Sequence, residues 1–103
     1  MEEVSLYNKY LAKRHWDKHS TDYAQAFAKL LKSKSVKGLV VDLGFGNGRD
    51  VNVFAENGFN ILGVDNAEKE LALAKRNFPK LKFELQNIEE LSFKDNSVSA
   101  FFI

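Results

Sequence analysis

The chain is 103 residues long, with 45% hydrophobic residues, 28% charged residues and a formal net charge of +1. That length fits one modest domain, and the apolar share is enough for a core, which excludes wholesale disorder. The near-neutral balance gives no electrostatic reason for a nucleic-acid or membrane partner, and the lack of cysteine excludes disulfides and thiolate metal sites.

The N-terminus, Met1-Glu2-Glu3-Val4, is acidic and no apolar run follows it, so no signal peptide is expected. No stretch is long enough to span a bilayer, and the expected location is cytoplasmic. Val4, Leu6, Tyr7, Tyr10 and Leu11 recur at roughly helical spacing and predict a helix over residues 2–19. Ser20 or Thr21 can cap a second helix, with Asp22 in its first turn. Tyr23, Ala26, Phe27, Leu30 and Leu31 form its apolar face, and the basic run Lys32 to Lys37 suits its C-terminus. Residues 1–37 thus read as a helical N-terminal region, and residues 38–103 as the core of the domain.

Gly38 punctuates before the first expected strand, Leu39 to Leu43, which is short and nearly all apolar. A parallel strand covered on both faces has that pattern. A loop with Gly44, Gly46 and Gly48 follows and opens a helix near Arg49. This helix presents Val53 and Phe54 inward and stops at Gly58. A second strand, Asn60 to Val64, ends in Asp65. Asn66 can cap the next helix, whose buried face is Ala67, Leu71, Ala74 and Phe78, and Pro79 ends it. Leu81 to Leu85 reads as a third strand and Val98 to Ile103 as a fourth. Between them lies a loop, with one turn expected at Ile88 to Leu91. Strands alternating with helices predict an α/β domain with a parallel sheet and right-handed crossovers.

Glycine at every second position lets the main chain turn sharply and lets a ligand approach it closely. Amides at the start of the next helix then favour the ligand's negative end. The spacing is not the G-x-G-x-x-G of dinucleotide-binding units, and no Gly-Lys-Ser/Thr phosphate loop is present. Asp42-Leu43-Gly44-Phe45-Gly46-Asn47-Gly48 resembles motif I of the class I (Rossmann-like) S-adenosylmethionine-dependent methyltransferases. Gly63-Val64-Asp65 resembles their second motif, and Leu85 to Ser99 their third motif with the lead into strand four. The resemblance covers residues 36–103 and implies a Rossmann-like sheet of order 3-2-1-4, preceded by two N-terminal helices. It also implies that the chain is short of the family's seven-stranded fold.

The resemblance carries site residues with it. The backbone of Gly44 to Gly48 would pass under the methionine part and ribose of S-adenosylmethionine. Asp42 would help hold the loop and the cofactor's ammonium, or only bond the loop amides. Asp65 would accept from both ribose hydroxyls, with a strand-end turn or helix cap as the plainer role. Asn66 would lie beside the adenine or serve as a cap. Asn87 stands where aspartate often binds the adenine amino group, and Ile88 would pack on the adenine face or in the core. Phe45 replaces a commonly smaller residue and would crowd or line the methionine pocket, while Ser99 replaces a usual aspartate.

No catalytic side chain is assigned by these motifs. His15 and His19 stand four apart, but no third ligand accompanies them and no metal is expected. Tyr7, Tyr10, His15, Trp16, His19 and Tyr23 could line an acceptor pocket, with one histidine as base, but helix-to-helix packing is the preferred reading. The expected activity is methyl transfer to a small-molecule acceptor, with S-adenosylhomocysteine as product. The rival is a cofactor-binding or dimerising fragment without turnover, and a third reading is an NAD-binding unit. The sequence ends at Ala100-Phe101-Phe102-Ile103, which would leave strand four an unpaired apolar edge. A fragment, a second polypeptide or self-pairing would each meet that problem, and a homodimer through this edge is the expectation.

Overall fold

The computed structural model describes residues 3–6, 9–12, 21–91, 93 and 97–103. In chain order its elements are β1 (Glu3–Leu6), β2 (Lys9–Ala12), α1 (Asp22–Ser33), β3 (Leu39–Leu43), α2 (Arg49–Glu56) and β4 (Asn60–Asp65). Then follow α3 (Glu68–Asn77), β5 (Lys82–Leu85), a single 3₁₀ turn (Ile88–Glu90) and β6 (Val98–Phe102).

The continuous apolar run of β3 places it where such a run is needed, inside the sheet with β4 on one side and β6 on the other. β3, β4, β5 and β6 run parallel, in the spatial order β5-β4-β3-β6, which is the expected 3-2-1-4. Alternation divides the β3 and β4 side chains between two faces, while in β6 the register shifts after Val98, which joins one core as Ala100 and Phe102 join the other. Val40, Ile61, Phe83, Ala100 and Phe102 join one core with Phe27, Leu31, Val51, Phe54 and Ala74 of the three helices. Val41, Leu43, Leu62, Val64 and Val98 form a second core, against which Leu91, Phe93 and Phe101 pack. In the first core, the Phe54 ring lies 5.5 Å from Phe102, 6.2 Å from Phe27 and 6.4 Å from Phe59. Phe27 also stacks on Phe102 at 5.9 Å, so this aromatic group ties α1 and α2 to β6.

The N-terminal region corrects the sequence reading. Over its described residues, the helix expected at 2–19 is instead an antiparallel hairpin, with Glu3 opposite Ala12 and Leu6 opposite Lys9. β2 then pairs in parallel with β6, with Tyr10 opposite Ala100 and Ala12 opposite Phe102. The Ile103 amide donates to the Ala12 carbonyl at 2.9 Å. The physical reason is the edge itself. β6 presents a row of backbone donors and acceptors that must be satisfied, and a nearby extended segment satisfies them. β6 is therefore paired on both sides, by β2 and β3, and the edge proposed for a homodimer is already filled from within the chain.

Ser99 stands at the start of β6, where its hydroxyl donates to the Lys37 carbonyl at 2.7 Å. That is the N-terminal rim of the sheet, beside Gly38 and far along the strands from the glycine loop. Its departure from the family's pattern therefore bears on strand docking and not on the loop's contacts.

Candidate functional site

Parallel strands end together, and the turn after each one leaves at the same rim of the sheet. Here β3 delivers the glycine loop, β4 delivers Asp65, and β5 leads to Gln86 and Asn87. The Gly44 amide donates to the Val64 carbonyl at 2.7 Å, so the loop starts tied to the neighbouring strand. The Gly48 amide donates to the Phe45 carbonyl at 3.0 Å and closes a turn. Asn52 N–H then donates to Gly48 O, which begins α2.

Two of the glycines are required for different reasons. Gly48 has φ +91°, and a Cβ there would meet Phe78 and Phe83 at 3.0 Å. It serves close packing of the helix start on α3 and β5. Gly46 has φ +58°, and a Cβ there would meet nothing within 4 Å. Its main chain is bare on the open side of the loop, as a backbone cradle for a ligand requires. Asn47, which the sequence reading passed over, accepts the Arg49 amide on Oδ1 at 3.0 Å and so satisfies one orphan donor of α2. Its position just before a helix was the available signal. Its carbonyl also accepts from Asn77 Nδ2 at 3.4 Å, a link to α3.

Asp42 is completely buried in β3, opposite Gly63 of β4 and Phe102 of β6. The carboxylate therefore lies inside the sheet end, two residues before the glycine loop. Asp65 is 8% exposed, and its Oδ1 accepts the Ala67 amide at 3.0 Å. Oδ2 takes no part in that turn. The Asp65 carbonyl accepts the Gln86 amide at 3.0 Å, which fixes the end of β5 beside it.

Asn66 is exposed and does not cap α3, whose N-cap is Ala67 with no side-chain hydrogen bond. The Asp65 carboxylate bonds the Ala67 amide just before the helix, and α3 itself takes no side-chain cap. Asn87 is exposed and caps the 3₁₀ turn, accepting the Glu89 amide on Oδ1 at 3.0 Å. Ile88 begins that turn, and its side chain lies outside the described residues. The Phe45 ring is 2% exposed and belongs to the core, so it does not line an open pocket. Tyr10 and Tyr23 pack against the same core. Tyr7, His15, Trp16 and His19 lie outside the described residues. Among the described residues no group of three acidic, histidine or cysteine side chains could hold a metal, and no helix is long and apolar enough to cross a membrane.

A separate cleft of about 430 Å³ lies at the opposite rim, lined by Lys32, Lys37, Asn57, Phe59 and Asn60 among others. It shares no residue with the glycine loop.

Residues 40–103 match the model of a family described as methyltransferase domain, and the chain belongs to that family. No curated protein matches the sequence. Solved structures do. CalS10, a SAM-bound amino pentose methyltransferase from Micromonospora echinaspora, is 22% identical with a TM-score of 0.64, over 75% of this chain and 34% of its own. An S-adenosylmethionine-dependent methyltransferase from Mesorhizobium loti is 29% identical with a TM-score of 0.61, over 81% of this chain and 41% of its own. The glycopeptide N-methyltransferase MtfA, complexed with sinefungin, is 14% identical with a TM-score of 0.65, over 88% of this chain and 40% of its own. The chain thus spans 34% to 41% of the length of these structures.

Proposed function

We propose that this chain forms the cofactor-binding part of an S-adenosylmethionine-dependent methyltransferase whose acceptor is a small molecule. The observation that carries the reading is the bare main chain at Gly46, with Asp65 at the adjoining strand end. The donor set fits the cofactor. A carboxylate oxygen has two acceptor directions, so Asp65 can keep the Ala67 amide and still take two ribose hydroxyls. The backbone of Gly44 to Gly48 holds the methionine part and ribose, and Asp42 braces it from within. Asn66, Asn87 and the main chain of Ile88 border the adenine, and Asn87 Oδ1 shares itself with the Glu89 amide. Phe45 contributes its main chain alone.

Bound there, the cofactor would supply a methyl group on a sulfonium, displaced in line with a neutral thioether leaving. The chain's own task is to orient it and keep water away. No side chain is given a catalytic role. The acceptor class is supported by the amino pentose and glycopeptide methyltransferases among the similar structures. Cofactor binding without turnover is the second reading, supported by a site whose placed residues are all cofactor contacts. A cytoplasmic location belongs to the same proposal, supported by a cysteine-free sequence that needs no oxidising compartment.

Calorimetric titration with S-adenosylhomocysteine and with NAD tests the reading. The expected result is one site of about 1–100 μM for S-adenosylhomocysteine and no heat from NAD at ~1 mM. Tighter binding of NAD would reject it. Gly46→Ala adds a sharper check. The left-handed backbone costs an alanine roughly 1–2 kcal/mol, so a modest fall in Tm is expected. The added methyl group stands on the open face, so S-adenosylhomocysteine affinity should fall by ~tenfold or more. Unchanged affinity would show that the ligand does not lie over this loop.

A further inference from the structure

Phe45 sits in a loop whose main chain is open one residue later, yet its ring is turned wholly inward. It lies 5.0 Å from the Phe83 ring of β5, with the planes inclined at 57°. Two glycines make the space. A Cβ on Gly63 of β4 would come within 3.0 Å of Phe45 and 2.8 Å of Phe83. A Cβ on Gly48 would press on Phe83 and Phe78, both at 3.0 Å. The ring is thus keyed into a slot formed by β4, β5 and the start of α2. A backbone bond stands on each side of it: Gly44 N–H to Val64 O before, and Gly48 N–H to Phe45 O after. A rigid side chain in a close-packed slot has one place to sit, so the backbone that carries it is fixed as well.

We infer that Phe45 is a positioning residue that holds the Gly44–Gly48 loop in its ligand-ready shape before any cofactor arrives. The inference rests on the cofactor reading above and deepens it. A loop already in shape reduces the ordering cost that binding must overcome. The Phe45 ring touches no ligand in this role. It acts through the main chain it anchors.

The test is amide hydrogen exchange by NMR on the full chain, together with S-adenosylhomocysteine titration, for wild type, Phe45→Leu and Phe27→Leu. Phe27 is the control, since it is as deeply buried on the same face but its ring meets Phe54 and Phe102, whereas the Phe45 ring meets Phe83. Without cofactor, the Gly44 and Gly48 amides of wild type should exchange slowly. In Phe45→Leu they should exchange at least ~tenfold faster, with affinity weakened by ~fivefold or more, while Phe27→Leu changes neither in the folded protein. Loop exchange and affinity within ~twofold of wild type in Phe45→Leu, or equal effects in both variants, would overturn the inference. If Phe45→Leu does not fold, wild type decides. Slow Gly44 and Gly48 amides support the role, and amides exchanging as fast as an open loop reject it. Slow amides in a wild type that binds no S-adenosylhomocysteine would sink the proposed function but keep the loop-fixing role.

Discussion

Asp65→Asn is expected to weaken S-adenosylhomocysteine binding by roughly 10- to 100-fold while leaving the fold intact. The substitution is chosen for what it keeps. An asparagine Oδ1 can still accept the Ala67 amide, so the turn at the end of β4 survives. It loses the negative charge and exchanges Oδ2 for an amide donor. Hydrogen bonds to a charged group contribute about 1.5–3 kcal/mol, against about 0.5–1.5 for neutral ones. Two ribose hydroxyls facing a weaker acceptor set therefore cost about 1.5–3 kcal/mol in all. Calorimetry reads the affinity and a thermal melt reads the fold. A twofold change or less would mean that Asp65 is only the turn residue that its bond to Ala67 makes it.

Phe54→Ala carries the largest expected loss of stability, about 3–5 kcal/mol. Phe54 is fully buried, and three other rings meet it. Truncation leaves a cavity among Phe27, Phe59 and Phe102 that these stiff side chains cannot collapse to fill. Domains of this size have about 5–15 kcal/mol of total stability, so the variant should sit near the unfolding threshold. Urea denaturation followed by circular dichroism checks it. A loss under ~1 kcal/mol would show that α1 and α2 are not anchored through this aromatic group.

The parallel core was legible because each of its signals is local. Leu39 to Leu43 is apolar without interruption, glycines mark its end, and the structure starts and stops β3 at the same two residues. The hairpin was not legible, because the decisive partner of β2 is β6, at the other end of the chain. Val4, Leu6, Tyr10 and Leu11 suit a short strand as well as a helix turn, and nothing local chooses between them. The open backbone edge of β6 made the choice.

Within the site, Asp42, Asp65 and the glycines could be placed at the strand ends from motif spacing alone. The direction of the Phe45 ring could not. Inside a turn with left-handed glycines on both sides, strand alternation no longer says which way a side chain faces. Asn66 suits a cap by residue type, but α3 starts one residue later, with Ala67 at its N-cap and no side-chain hydrogen bond there. Ser99 departs from the resembled pattern, and its place at the start of a parallel strand puts that departure at the rim away from the glycine loop.

The central claim is that ligand binds over the glycine loop at the C-terminal ends of β3, β4 and β5. An amide shift map of the wild-type chain titrated with S-adenosylhomocysteine tests it most directly. The account predicts shifts concentrated at Gly44 to Gly48, Asp65 to Ala67 and Gln86 to Ile88, with little change at Lys32 to Gly38 or Asn57 to Asn60. Shifts centred on that opposite rim, or none at saturating ligand, would contradict it.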